Sequence, residues 1–436
     1  MEEHTFLAGA ARENITPGKK LMPMPLIWGI RFTRVLDQVH VRALALSDGE
    51  RKSLFIIFEM TLVPYADETL RFVAEVTGIP KEQIFIAATH THGVTPVSLG
   101  IYKEHSRAEK KCRKWYEEVI LPALKAAVNR AQSRMVPARY GYGTGQSYIN
   151  VNRDAVFGSE SRIGSNFERP SDRTIRMVRI ESLSGRLIAL IVNYACHAVV
   201  MNGCLRGLGT GLTGDLPGRT CSRLEAELDG GVVLWCSGAA GDQNPRIMTQ
   251  YGGTREKGKP VLKNLGKAGY TILEYLSDEH ARDIRRAARK IRCTENTGTI
   301  YCAEKTAMVR SRDSRDAKIP YTLRLFMIGD IAFEGISAEI VTSVGKAVRE
   351  VSPYEKTILV SHALGYQGYV ADDWEYEHNA FEAGSAKTAK GAAQEAFVSG
   401  FGELFREKEQ TGHPGGTPGI KAENKEIQEE KSCGTV

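Results

Sequence analysis

The stretch AATHTHGVTP, residues 87–96, follows a short apolar run, Ile84-Phe85-Ile86, and ends in loop-forming residues. The chain has only 10 histidines among 436 residues, yet His90 and His92 stand one residue apart where this run gives out. Residues two apart on a strand project to the same face. On an extended backbone the two imidazoles would stand side by side, their Cβ atoms roughly 7 Å apart. Such a pair suits a metal site or an oxyanion site, and it equally suits an ordinary polar strand end.

A third histidine adds weight. Residues 187–197 read LIALIVNYACH, an apolar strand pattern with His197 at its carboxyl end. Ligands in open sheets gather outside the carboxyl ends of strands. Two strands delivering histidines to one edge is the pattern of a zinc site assembled from distant segments. A single such histidine reads as well as a hydrogen-bonded core residue. A further apolar run, residues 231–236, leads into SGAAGDQNPR, residues 237–246. Its small residues let the backbone pass close to something, and Asp242 and Asn244 offer polar tips, although a plain turn has the same composition.

The rest of the chain mixes strand-like and helix-like segments. Residues 54–58 (LFIIF) read as a buried strand, and residues 67–77 have helical spacing stopped by Gly78 and Pro80. Residues 109–134 carry a long amphipathic pattern in which Pro122 predicts a kink. Residues 322–328 and 331–333 read as a hairpin across Gly329-Asp330, and 357–361 as another strand. Residues 271–290 and 386–405 read as helices. The expected fold class is α/β, a mixed-sheet core with flanking helices. Residues 1–405 make one domain in this reading. Residues 249–267, rich in Gly and Lys, read as a surface insertion, and 406–436 as a disordered tail.

Composition excludes several classes. Apolar content of 42% and charged content of 25% are those of a soluble globular protein. The net charge of +6 is small for this length and no Lys/Arg block stands out, so neither nucleic acid nor a membrane surface is an expected partner. The longest apolar stretch, residues 187–201, is too short for an integral membrane segment and contains Asn193 and His197. The N-terminal MEEHTFLAGAARENITPG lacks the basic and apolar regions of a signal peptide, and eight cysteines are scattered without C-x-x-C pairs. Reduced thiols and a cytoplasmic location are the expectation. The match of residues 209–214 to G-x-G-x-x-G follows no apolar strand, so it reads as a loop. No G-x-x-x-x-G-K-[ST] and no G-x-S-x-G occurs, against a P-loop and against a serine elbow.

Six pieces in order, AGAARENITP, THTHG, NYACH, GDQNP, ISAEIVTSVG and GYQGYVADDWEYEHNAFEAG, resemble the neutral (non-lysosomal) ceramidase family of zinc-dependent amidases. The pieces lie between residues 8 and 384, and the resemblance covers the chain from about residue 7 to 405. The resemblance implies the fold of that catalytic domain and a zinc ion held by His90, His197, Glu339 and Tyr369. It assigns His92 to the oxyanion, Tyr366 to a place near the reacting carbonyl, and Arg153 of NVNR to the substrate head group. A His₂Glu set with an oxygen ligand and room for water is sound for catalytic zinc, which lowers the pKa of bound water to about 7. Considered without the resemblance, Glu339 reads as a solvated helix-start carboxylate and Tyr369 as a packed aromatic.

Two positions depart from the family pattern. Asn244 stands where the family has a serine, and an amide is not a nucleophile. Phe381 stands where the family has a tyrosine near the substrate. The reading expects no immunoglobulin-like segment after the catalytic part. The expectation is therefore a zinc hydrolase that cleaves the linear amide bond of a small or amphiphilic N-acyl substrate by attack of zinc-bound water. Asp242 is a candidate proton acceptor or a supporting carboxylate. The rivals are a true ceramidase acting on the sphingolipid N-acylsphingosine, and a metal-retaining pseudoenzyme that serves folding or partner binding.

Overall fold

The computed structural model describes residues 5–26, 31–202, 210–228, 230–256, 259–266, 268–314 and 316–411. Largely buried, mostly apolar strands build an eight-stranded mixed sheet. Edge to edge it runs Val232–Ser237, Leu187–Tyr194, Thr174–Ser182, Val136–Gln146, Leu7–Asn14, His40–Ser47, Lys52–Phe58 and Ile84–Ala88. The two outermost pairs are parallel, and the pairs between them are antiparallel. Helix Leu121–Ser133 covers the Leu7–Asn14 and His40–Ser47 strands. Helices Asp215–Glu227 and Ala268–Ala288 pack on each other, and the first of them also on Val232–Ser237.

A second, four-stranded sheet orders Ile300–Arg310, Lys318–Ile328, Ile331–Ile336 and Thr357–Val360. Helix Ala392–Gln410 packs on its first two strands, and Thr342–Glu350 packs on Thr357–Val360. An aromatic block joins the sheets: Phe55 and Phe85 stack at 4.6 Å, and Phe326 meets Phe55 edge-on at 5.6 Å. Such buried rings add about 1 kcal/mol per pair beyond their area.

Most expected elements are present, with displaced ends. The 109–134 pattern is helical and is interrupted just before Pro122. Helix Arg107–Trp115 passes through a π-helical turn, Tyr116–Ile120, into Leu121–Ser133, with Pro122 in its first turn. The wider turn takes up the missing N–H and the ring that would otherwise meet a carbonyl of the preceding turn. Within the expected insertion, Gln250–Glu256 and Lys259–Asn264 pair as antiparallel strands. The last helix starts at Ala392 and runs to Gln410, so the first residues of the expected tail are helical; residues 412–436 lie outside the described residues.

What positions the site is the meeting of strand ends. Ser237 Oγ donates to the Thr89 carbonyl at 3.0 Å, and Ser361 N–H to the Ser237 carbonyl at 2.9 Å. Ala88 N–H donates to the His362 carbonyl at 3.2 Å, and Ala87 bridges Ala363. The carboxyl ends of Ile84–Ala88, Val232–Ser237 and Thr357–Val360 are thereby tied into one rim. Leu187–Tyr194, parallel to Val232–Ser237, delivers His197 beside it.

Candidate metal centre

The strand Ile84–Ala88 ends two residues before His90, so the extended His-x-His geometry expected from the sequence does not form. His90 adopts a left-handed backbone with φ of 58°. Such a conformation is uncommon for a non-glycine residue and marks a site that its surroundings hold in place. Thr91 then bridges Ala198 in parallel, and His92 N–H donates to the Ala198 carbonyl at 3.1 Å. Gly93 sits so close to Thr213 that a Cβ would lie 2.4 Å from its carbonyl oxygen. These contacts turn the two imidazoles onto one point: their Nε2 atoms are 3.2 Å apart and their rings cross at 87°.

His197 lies just past its strand, its N–H bonded to the Gln243 carbonyl at 2.9 Å. Glu339 comes from a two-residue strand, Glu339–Ile340, paired in parallel with Tyr369–Val370 so that Glu339 and Tyr369 are directly opposite. Glu339 Oε1 lies 2.5 Å from His197 Nε2 and 3.3 Å from His90 Nε2. The Tyr369 hydroxyl is 3.4 Å from His197 Nε2, and the Tyr366 hydroxyl donates to Glu339 Oε2 at 3.1 Å. His90, His197, Glu339 and Tyr369 are all buried, while His92 and Tyr366 are half-buried.

Both imidazoles are oriented from behind. His90 Nδ1 lies 2.9 Å from the Thr61 carbonyl, and His197 Nδ1 lies 2.6 Å from the Ala240 carbonyl. Carbonyls only accept, so these contacts assign the ring protons to Nδ1 and leave Nε2 lone pairs directed at Glu339. Glu339 Oε1 is buried without a hydrogen bond. Three acceptor atoms thus converge with no proton between them, which is how a histidine–carboxylate metal site is prepared. Burial, with the neighbouring imidazoles, holds His92 well below the ordinary histidine value. Nitrogen and oxygen donors of this kind suit zinc.

The other expected residues fall around this centre. Arg153 is buried; its guanidinium contacts the Tyr369 hydroxyl at 3.1 Å and Asn244 Oδ1 at 3.4 Å. Asn244 also lies against Met248 Sδ at 3.3 Å. Phe381, 46% exposed, meets the Tyr369 ring edge-on at 5.7 Å. The Asp242 carboxylate accepts from Thr342 N–H at 2.9 Å, Thr342 Oγ1 at 2.7 Å and Asn152 Nδ2 at 2.8 Å. It anchors the start of helix Thr342–Glu350 and reaches the centre through its own backbone carbonyl, which accepts from Arg153 N–H at 2.8 Å.

Sequence reasoning missed His362. Its ring stacks on His90 at 3.7 Å and 8°, its backbone is also left-handed with φ of 56°, and both ring nitrogens are buried without hydrogen bonds. The signal was available, because His362 follows the apolar strand Thr357–Val360 as His197 follows its own. Also missed were the buried carboxylates Asp154, Glu375 and Glu382, whose oxygens gather within 4.8 Å. Burial and the neighbouring acids push Asp154 up to about 8 and Glu375 up to about 11. At neutral pH this group therefore holds protons rather than three full charges.

No protein-family model and no curated protein sequence matches the chain. Among solved structures it is similar to the neutral ceramidase from Pseudomonas aeruginosa, with TM-score 0.72 and 15% identity over 93% of this chain and 75% of that one. It is also similar to a structure described as ceramidase complexed with C2, with TM-score 0.69 and 16% identity over 95% of this chain and 77% of that one. At that identity the likeness is one of architecture: the chain has the neutral ceramidase fold, the α/β arrangement that the six ordered pieces of sequence led us to expect.

Proposed function

We propose that the chain is a zinc-dependent hydrolase that cleaves the linear amide bond of an N-acyl substrate. The observation that carries this reading is the convergence of His90 Nε2, His197 Nε2 and Glu339 Oε1, with both imidazole Nδ1 protons tied to backbone carbonyls. Zinc held by His90, His197, Glu339 and Tyr369 would polarise the amide carbonyl and supply hydroxide at neutral pH. His92, neutral and half-buried, donates an N–H to the oxygen that gains charge as the carbonyl is attacked. Tyr366 keeps the Glu339 carboxylate oriented. Asn244 orients the substrate amide and does not act as a nucleophile. Phe381, exposed beside Tyr369, offers an apolar wall to an acyl chain.

The neutral ceramidase fold favours a lipid-like amide within this class, with ceramide as the specific alternative. A cytoplasmic location belongs to the same proposal, in keeping with the free thiols of Cys112, Cys196, Cys221, Cys236, Cys293 and Cys302. No helix among the described residues is long and apolar enough to cross a membrane. Hydrolysis of ceramide and of short N-acyl amides, measured before chelation, after chelation and after zinc is restored, tests the proposal. Turnover that vanishes with chelation and returns with zinc is expected, and the preferred chain length separates the two substrates. Stoichiometric zinc with no turnover of amides or esters favours the pseudoenzyme.

A further inference from the structure

Arg153 is not placed like a side chain waiting for a head group. It stands on the strand Asn150–Phe157 and is buried. Its Nε donates to Glu382 Oε1 at 2.6 Å, and one terminal nitrogen pairs with the same oxygen at 2.5 Å. That terminal nitrogen also donates to the Tyr369 hydroxyl at 3.1 Å. The other faces Asn244 Oδ1 at 3.4 Å and the His197 ring nitrogens at 3.4 Å. All three guanidinium nitrogens therefore contact protein atoms. Glu382 is fully buried on the short helix Phe381–Ser385.

The geometry has a consequence for Tyr369. A guanidinium is planar, with its N–H groups in a rigid fork. When Glu382 takes the Nε–H and one N–H of the adjacent nitrogen side-on, the plane can no longer roll. The remaining N–H of that nitrogen is aimed at the phenol oxygen. Without the carboxylate, a long flexible side chain regains its rotamers and the aim is lost.

We propose that Glu382 is a positioning residue for this site, fixing the Arg153 guanidinium so that Arg153 holds the Tyr369 hydroxyl beside His197. The proposal rests on the metal-site reading above. It also moves Arg153 from the substrate side of the site to the ligand side.

The test uses the full chain loaded with Cu²⁺, in which a coordinated tyrosine gives a visible charge-transfer band. Tyr369→Phe identifies the band by removing it. Glu382→Ala is expected to lose or shift it and to weaken zinc binding by about 10–100-fold, the scale of losing a group that orients a ligand. Glu382→Gln, which keeps an acceptor oxygen, is expected to fall between and carries the test where the alanine variant does not fold. In turnover, Glu382→Gln lowers kcat while KM stays near the wild-type value; a substrate-anchoring Arg153 gives a raised KM instead. A lower melting temperature with unchanged band and zinc affinity would overturn the proposal. Wild-type chain that binds metal without a Tyr369-dependent band also overturns it, leaving the histidine–glutamate site standing. Wild-type chain that binds no metal overturns both.

Discussion

His197 turns Nε2 rather than Nδ1 toward Glu339: Nε2 lies 2.5 Å from Oε1, while Nδ1 lies 2.6 Å from the Ala240 carbonyl. A lone pair and a carboxylate oxygen are thus held together without a proton, an arrangement that costs stability until a cation is shared. Glu339→Gln puts an amide N–H where it can donate to the imidazole. The metal-free variant is expected to be more stable than metal-free wild type by about 1 kcal/mol, and to lose tight zinc binding. Thermal melts in chelator, beside a zinc titration, check both halves. A less stable apo variant would show that the carboxylate is already satisfied.

His92 separates catalysis from metal binding. It stands 3.2 Å from His90 but has no carboxylate contact of its own among the described ion pairs. His92→Ala is expected to lower kcat by about 10²–10³, as loss of one oxyanion donor does, with zinc stoichiometry unchanged. Metal analysis of the variant decides it, since loss of zinc would make His92 a ligand.

His362 lies against His90 with two buried nitrogens that make no hydrogen bonds. Unsatisfied buried polar atoms cost about 1–3 kcal/mol each. His362→Phe keeps a flat ring on His90 and removes both nitrogens. Its melting temperature is expected to match or exceed that of wild type, with zinc retained. A clear loss of metal would instead place His362 in the ligand set.

Acid stability has its own source, away from the site. Burial would raise Glu59, but Arg42 and His40 outweigh it and draw the carboxyl down to about 2. A carboxylate depressed on folding contributes stability that is present above its unfolded pKa and is lost as pH falls through the folded value. Urea unfolding between about pH 5 and about pH 2 should therefore show a steep loss of stability. Glu59→Gln should flatten this limb and be less stable than wild type at neutral pH. An unchanged acid limb in the variant would assign the transition to other groups.

Legibility in the sequence differed by kind of residue. His90 and His197 announced themselves because an apolar run ending in histidine is a local pattern. His362 has the same pattern, and no companion motif drew notice to it. The strand reading of His-x-His expected an extended pair, which does not form because the left-handed turn at His90 is held by contacts with Thr61, Ala198 and Thr213 far along the chain. Glu339 and Tyr369 have no local signature, and only the ordered resemblance singled them out. The Arg153–Glu382 pair spans 229 positions, and no periodicity connects residues so distant. The π-helical turn before Pro122 was likewise hidden: a proline announces a disturbance but not its form.

The most direct measurement is the metal content of the purified chain, by elemental analysis, beside that of His197→Ala and Glu339→Ala. The account predicts about one zinc per wild-type chain, removed by chelation and restored on adding zinc, and little in either variant. Wild-type chain that takes up no divalent metal, or variants that hold it as tightly, would contradict it.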